Sequence, residues 1–263
     1  MRYMKGVVKM KYMGSKSRIK KDIVPVIQEY INKNNITKYL EPFVGGANII
    51  DSIVCNEKVG NDKSEFLIEM FKAFTEDNSL IDDKRLSELT KEEYDECRSR
   101  FYKNDFDEKY PKWYVGAVGF LGSYNGRFFD GGYAKTLVSK TGSVRNYYQE
   151  AKRNLKSQLK DLNGIRWLNK DYMYFSNVKN TVIYCDPPYK DTKQYGTSKN
   201  FSHSEFWQWV REMSKNNIVI VSELQAPQDF ICIWEQEVTR TQDNAKRIKS
   251  IERMFIYEKC EAI

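Results

Sequence analysis

Thr181-Val182-Ile183-Tyr184-Cys185-Asp186-Pro187-Pro188-Tyr189 is the stretch from which the fold of this chain is read. Its first five residues form a short continuous apolar run, the pattern of a strand buried on both faces of a parallel sheet. The next four end it. Successive prolines fix φ and present carbonyls without N–H donors. In an open α/β sheet, ligands sit beyond the carboxyl ends of the strands, where Asp186, Pro187, Pro188 and Tyr189 fall. The aspartate adds a second acceptor and the tyrosine an aromatic face. Such a platform suits an aromatic amine whose two N–H groups are accepted while its ring is stacked. The plain alternative is a rigid turn at a strand end.

Outward from this stretch, Ile218-Val219-Ile220-Val221 reads as a second buried strand. Residues 38–62 hold two more, Tyr39-Leu40 before a glycine pair and Val59 before Asn61-Asp62, with a helix expected from Ala47. Ile19, Ile23, Val26, Ile27, Tyr30 and Ile31 recur at helical spacing, as do Phe66, Leu67, Met70, Phe71 and Phe74. Phe206, Trp207, Trp209, Val210 and Met213 mark a further helix, which Ser202 or Ser204 can cap. Strands alternating with helices predict an α/β fold, an open sheet with helices on both faces.

Residues 76–163 break this alternation. They are highly charged and poor in strand runs; KEEYDECRSRF and QEAKRNLKSQLKDL read as amphipathic helices. Between them FLGSYNGRFFDGGY, residues 120–133, carries too many glycines for a regular helix and reads as a hairpin or large loop. The expected organisation is one sheet domain, residues 1–75 and 164–263, interrupted by a mainly helical subdomain at 76–163.

Composition narrows the chemistry. With 263 residues, 41% hydrophobic and 14% aromatic, the chain can build a substantial core. No apolar run approaches the roughly 20 residues of a membrane span. MRYMKGVVKM at the N-terminus lacks the apolar stretch of a secretory signal, so a cytoplasmic location is expected. Five cysteines, without a CxxC pair, argue against a disulfide framework or the usual zinc site. A single histidine, His203, reads as a polar residue near a helix start and leaves little for histidine-centred catalysis. No metal is expected. The net charge of +7 hints at a polyanionic partner.

Two further motifs stand out. Leu40-Glu41-Pro42-Phe43-Val44-Gly45-Gly46-Ala47-Asn48 is a strand end followed by paired glycines, which admit close backbone approach. Asp62, about 20 residues on at the end of the next strand, can accept bonds from ribose hydroxyls. Neither GxGxxG nor a phosphate-binding GxxxxGK[ST] loop is present, so the pattern suits a nucleoside rather than a polyphosphate. Lys11-Tyr12-Met13-Gly14-Ser15-Lys16, taken alone, is a basic turn before a helix.

In this order the motifs resemble the Dam-type (DPPY) DNA adenine-N6 methyltransferases. KYMGSK is similar to that family's N-terminal cofactor motif and LEPFVGG to its glycine-rich motif. NDKSEFLIEMFKAF resembles the ribose-binding strand and helix, LNKDYMYF the adenosine-side motif around Asp171, and DPPY the catalytic signature. TKQYGTSKNFSHSEFWQWV after it also looks familial. The resemblance departs at two places: Ala47-Asn48 stand where a third glycine is usual, and GSYNGRFFDGGY aligns only loosely with the GATC-reading enzymes.

The resemblance implies a Rossmann-like methyltransferase sheet, S-adenosylmethionine as cofactor with S-adenosylhomocysteine as product, and transfer of the methyl group to N6 of an adenine swung out of double-stranded DNA. Asp186 and the Pro187 carbonyl would accept the two amino N–H bonds, beside Pro188, and Tyr189 would stack on the base. Tyr12, Lys16, Glu41, Pro42, Phe43, Gly45, Gly46, Asp62, Asp171 and Asp186 fall at the cofactor-binding positions. Lys11, Tyr124, Asn125, Arg127, Tyr133 and Arg145 are the candidate DNA contacts, with Lys152 and Arg153 as further cations; a helix with solvated charges is the plain alternative. A monomer is the default, with a cognate restriction endonuclease as candidate partner in a bacterial or phage-infected cell. The rival readings are methylation of cytosine-N4 or of adenine in RNA, and a catalytically silent DNA-binding protein on the same fold.

Overall fold

A computed structural model of the chain describes residues 9–138, 141–189, 201–242 and 246–258. The main sheet has seven strands: β1 (Lys38–Glu41), β2 (Glu57–Asn61), β5 (Ile165–Leu168), β6 (Val182–Cys185), β7 (Ile218–Glu223), β8 (Phe230–Gln242) and β9 (Lys246–Tyr257). Their order is β5-β2-β1-β6-β7-β9-β8. β1 pairs in parallel with β2 and β6, and β6 with β7, whereas β9 runs antiparallel to both β7 and β8. The open α/β sheet expected from the apolar runs, Rossmann-like as the resemblance implies, is present. All four residues of β6 are buried, as a strand covered on both faces requires.

Contacts within the chain divide it into two compact units. One comprises Lys21–Val44, Ile53–Lys63 and the residues from Lys170 on, and holds β1, β2 and β6–β9. Ile23, Ile27 and Ile31 form the buried stripe of α1 (Lys20–Lys33). In α6 (His203–Ser214), Phe206, Trp207, Trp209, Val210 and Met213 are buried. Ser202 caps α6 by accepting from the Glu205 amide, which places His203 in the first turn as expected.

The other unit comprises the N-terminal residues to Lys20, Gly45–Ser52 and Ser64–Asn169. It contains α2 (Glu65–Glu76), α3 (Lys91–Lys103), α4 (Lys112–Gly122) and α5 (Tyr147–Leu159), with a small hairpin of β3 (Thr136–Val138) and β4 (Val144–Asn146). α4 is buried at every position from Tyr114 to Gly122. A Cβ on Gly116 would collide with the Phe66 carbonyl, so α4 meets α2 backbone to backbone.

Three expectations are corrected. No helix starts at Ala47: the segment forms turns and a short 3-10 stretch, Ile50–Ser52. Gly45 at φ +47° and Ala47 at φ +55° are left-handed, which an α-helix excludes. Residues 120–133 are not the hairpin. Their first three finish α4, and the rest form the loop that was the other expectation, closed by a bridge between Ser123 and Tyr133, with a hairpin following at β3–β4. Lys152 is not a solvated cation: it is buried and its Nζ donates to the Leu86 carbonyl at 2.9 Å.

Candidate active site

The parallel strands bring four carboxylates to one end of the sheet. β1 ends on Glu41, Asp62 follows β2, Asp186 follows β6, and β7 ends on Glu223. Glu41 is buried and accepts from the Tyr39 hydroxyl at 2.7 Å. Burial, then Glu41, raises Tyr39 well above the ordinary tyrosine range. Burial followed by Asp186 does the same for Tyr184 and, with Glu41, for the Cys185 thiol. These groups therefore stay protonated near neutral pH.

Three of the sequence motifs meet at one residue that was read only as the neighbour of Asp62. Asn61, 0% exposed, donates from Nδ2 to the carbonyls of Pro42 at 2.9 Å and Lys170 at 3.0 Å. Its Oδ1 accepts from the Lys170 amide at 2.9 Å, and its own carbonyl accepts from the Val44 amide at 2.8 Å. The ends of β1 and β2 and the turn before Asp171 are thus fixed together. Asp171 caps the 3-10 turn Tyr172–Phe175 through the Met173 amide, and its other oxygen lies 3.4 Å from Lys63 Nζ. Phe43 packs on Tyr172, Phe201 and Phe206, with ring centroids 5.6–5.8 Å apart.

Directly after β6, Asp186 and Pro188 are partly exposed, while Pro187 is buried. The Tyr189 side chain turns inward. It is 7% exposed; its hydroxyl donates to Glu252 Oε2 at 2.9 Å and lies 3.1 Å from Ser222 Oγ. Burial, then Asp186 and Glu252, holds this phenol well above its usual pKa. Ser222 on β7 and Glu252 on β9 therefore anchor the tetrapeptide. Glu252 lies in SIERMFIY, a buried carboxylate two residues before the apolar run Met254-Phe255-Ile256-Tyr257. The segment at 190–200 lies outside the described residues, and with it the first part, TKQYGTSKN, of the familial stretch after Tyr189.

In the other unit, the N-terminal motif and the glycine turn join. A Cβ on Gly45 would lie 2.9 Å from the Tyr12 ring, and one on Gly46 2.8 Å from Tyr12 Cβ. The paired glycines thus make room for Tyr12. Asn48 Nδ2 donates to Ser15 Oγ at 2.9 Å and the Met10 carbonyl at 3.3 Å. Ser15 caps the short turn Lys16–Arg18, in which Lys16 is buried.

A second buried amide, unmarked by any motif, completes this arrangement. Gln158, 0% exposed on α5, donates to the carbonyls of Gly46 at 3.1 Å and Ala47 at 3.0 Å and to Asp51 Oδ2 at 3.2 Å. Its Oε1 accepts from the Met10 amide at 3.0 Å. Asp51 also pairs with Lys9 and Lys20.

Of the candidate DNA contacts, Tyr124, Asn125, Arg127 and Arg145 are exposed. Lys11 and Arg145 both lie beside the Tyr147 ring, 5.4 and 4.5 Å from its centroid, and Tyr124 meets Tyr147 edge-on at 5.5 Å. Tyr133 is set apart: its hydroxyl donates to the Leu89 carbonyl at 2.5 Å and its ring packs on Tyr94.

Among the described residues no His, Cys, Asp and Glu group has metal-site geometry, the four cysteines are free, and no helix is long and apolar enough to cross a membrane.

A sequence profile described as D12 class N6 adenine-specific DNA methyltransferase matches residues 12–213. The chain is 26% identical over 227 residues to the type II methyltransferase M.MjaIII of Methanocaldococcus jannaschii, covering 75% of this chain and 74% of that one. Among solved structures it is similar to "a putative RNA methyltransferase PH1948 from Pyrococcus horikoshii" at 14% identity. That similarity covers 63% of this chain and 81% of the other, with a TM-score of 0.27.

Proposed function

The chain belongs to the D12 class N6 adenine-specific DNA methyltransferases, and from that premise we propose how its own residues carry the reaction. It is an adenine-specific DNA methyltransferase, and methyltransferases generally take their methyl group from S-adenosylmethionine. The acceptor chemistry of the sheet end fits that cofactor: Glu41, Asp62, Asp171 and Asp186 suit a cationic sulfonium nucleoside rich in N–H and O–H donors, as do the Pro42 and Lys170 carbonyls held by Asn61. In this reading Asp62 holds the ribose hydroxyls and Asp171 the adenosine amino group. Tyr12, Lys16, Gly45 and Gly46 are the further cofactor-binding positions.

The observation that carries the catalytic reading is the seat of Asp186-Pro187-Pro188-Tyr189 at the carboxyl end of β6, between β1 and β7. Adenine's exocyclic nitrogen is a poor nucleophile because its lone pair is delocalised into the ring. The Asp186 carboxylate and the Pro187 carbonyl accept its two N–H bonds, which draws the lone pair out of conjugation. No covalent enzyme intermediate is required. Positioning and preorganised acceptors account for most of the rate. Tyr189 pins the turn through Ser222 and Glu252; its burial weighs against the simple expectation that its ring lies open for stacking.

The surface of residues 76–163 meets double-stranded DNA in this reading, through Lys11, Tyr124, Asn125, Arg127 and Arg145. The exposed Leu137, Val138 and Val144 of the hairpin, beside Arg145, support it. The enzyme acts as a monomer in the cytoplasm, and the type II name of its relative supports a cognate restriction endonuclease as partner. The test is methyl transfer to mixed-sequence duplex DNA, read by single-molecule sequencing. N6-methyladenine within one short motif is expected. N4-methylcytosine, methylation of RNA alone, or cofactor binding without any product would each overturn the reading.

A further inference from the structure

Two of the candidate DNA cations converge on one carboxylate that no sequence motif marks. Lys11 Nζ lies 2.7 Å from Glu150 Oε1. Arg145 donates to the same carboxylate twice, from Nε to Oε2 at 2.8 Å and from Nη2 to Oε1 at 3.0 Å. Lys11 and Arg145 both lie over the Tyr147 ring, which the exposed Tyr124 meets edge-on. The backbone fixes the cluster. Gly126, at φ +68°, sets the Tyr124–Gly126 turn so close to Lys11 that a Cβ there would collide with the Lys11 carbonyl. Asn146, next to Arg145, caps α5 through the Gln149 amide, which places Glu150 in the first turn of the helix. Arg145, followed by Lys11, draws the Glu150 carboxyl down to about 2, against the opposing effect of burial.

Exposed ion pairs add to stability chiefly where, as here, the contact is two-pronged and networked, and stability alone does not say what else the two cations could hold. The geometry of the contact does. A guanidinium grips a carboxylate and a phosphate with the same two-pronged arrangement. With Glu150 in place the cluster carries two positive charges and one negative.

We propose that Glu150 is a specificity-determining residue: its carboxylate stands in for a DNA phosphate on Lys11 and Arg145, and so suppresses sequence-independent binding. Duplexes that offer only backbone phosphates must displace Glu150 without compensation. A duplex carrying the recognition sequence displaces it using base contacts made elsewhere. The proposal rests on the reading that this face meets DNA, and two variants separate the two ideas.

The experiment measures binding of the full-length protein to a 20-bp duplex of random sequence by fluorescence anisotropy, from 50 to 300 mM salt. Each phosphate contact adds about −0.9 to the slope of log K against log salt. Glu150→Gln is expected to tighten non-specific binding by about 5- to 20-fold at low salt and to steepen the slope by about 1 to 2. Methylation should become less selective among near-cognate sites, and Glu150→Asp, which keeps the charge, should restore most of the discrimination. Unchanged or weaker non-specific binding by Glu150→Gln, with an unchanged slope, overturns the proposal. So does a loss confined to cognate DNA, which would make Glu150 a reader of a base amino group. On the same duplex, Lys11→Ala/Arg145→Ala added to Glu150→Gln should flatten that variant's slope by about 1 to 2. If it does not, the DNA-facing reading of this surface fails, whatever Glu150→Gln shows.

Discussion

Asn61 and Gln158 do the same task in the two units and were unequally visible. Each is a fully buried amide that ties motif backbone together: Asn61 joins the Pro42 and Lys170 turns, and Gln158 joins Met10 to Gly46 and Ala47. Asn61 ends the strand Glu57–Asn61 beside an acidic residue, where ligand-binding groups are expected. Gln158 sits in SQLKDL on a charged helix, where one inward polar side chain is indistinguishable from the solvated ones by pattern alone. Chemistry at strand ends is announced by the strand, whereas polar chemistry on an amphipathic helix depends on what the helix packs against.

The largest effect expected is at the catalytic strand end. Asp186→Ala should lower single-turnover methyl transfer by at least about 10²–10³-fold, the scale of losing one preorganised electrostatic group, with thermal midpoint and cofactor affinity near wild type. Near wild-type turnover would remove Asp186 from the chemistry.

The amide comparison is sharpened by Asn61→Ala and Gln158→Ala. Each leaves several buried backbone groups unpaired and should destabilise by about 2–4 kcal/mol, at roughly 1–3 kcal/mol for an unsatisfied buried group. Chemical denaturation checks this. If either change is neutral, that residue is not a structural bracket.

Alkaline pH probes the sheet unit. Tyr39, Tyr184 and Tyr189 have pKa values raised in the folded state by burial and by neighbouring carboxylates. Below the unfolded-chain value of about 10 both states are protonated and stability is unaffected. Above it the unfolded chain releases protons that the folded one retains, so stability falls as pH rises. Denaturation midpoints from pH 8 to 11 should drop beyond pH 10, and Tyr189→Phe should lessen the drop.

The smallest effect is expected in the glycine turn of the other unit. Ala47 holds φ +55° where a third glycine is usual in the resembling family. A left-handed alanine costs about 1–2 kcal/mol, offset in part by the greater unfolded-state entropy of glycine. Ala47→Gly should therefore stabilise by about 0.5–1 kcal/mol, read from the thermal midpoint.

Much of the sheet was legible. β1, β2, β6 and β7 were read from apolar runs, α1, α2 and α6 from 3–4 spacing, and Asp186-Pro187-Pro188-Tyr189 from its place after β6. α4 went unread because WYVGAVGFLG is apolar around its whole circumference and shows no stripe. The β8–β9 hairpin went unread because its apolar runs, FICIW and MFIY, are each joined to a longer polar, charged stretch that carries no strand signal.

By itself the sequence determined the parallel centre of the sheet, the order of its motifs and their family, because continuous apolar runs and proline or glycine punctuation are local properties of the chain. Only the tertiary structure decided that Gly45 and Gly46 make room for Tyr12, that Tyr189 is anchored by Ser222 and Glu252, and that Glu150 gathers Lys11 and Arg145. Each of these joins residues tens of positions apart or turns a side chain inward, and the direction of a polar side chain is set by what packs against it.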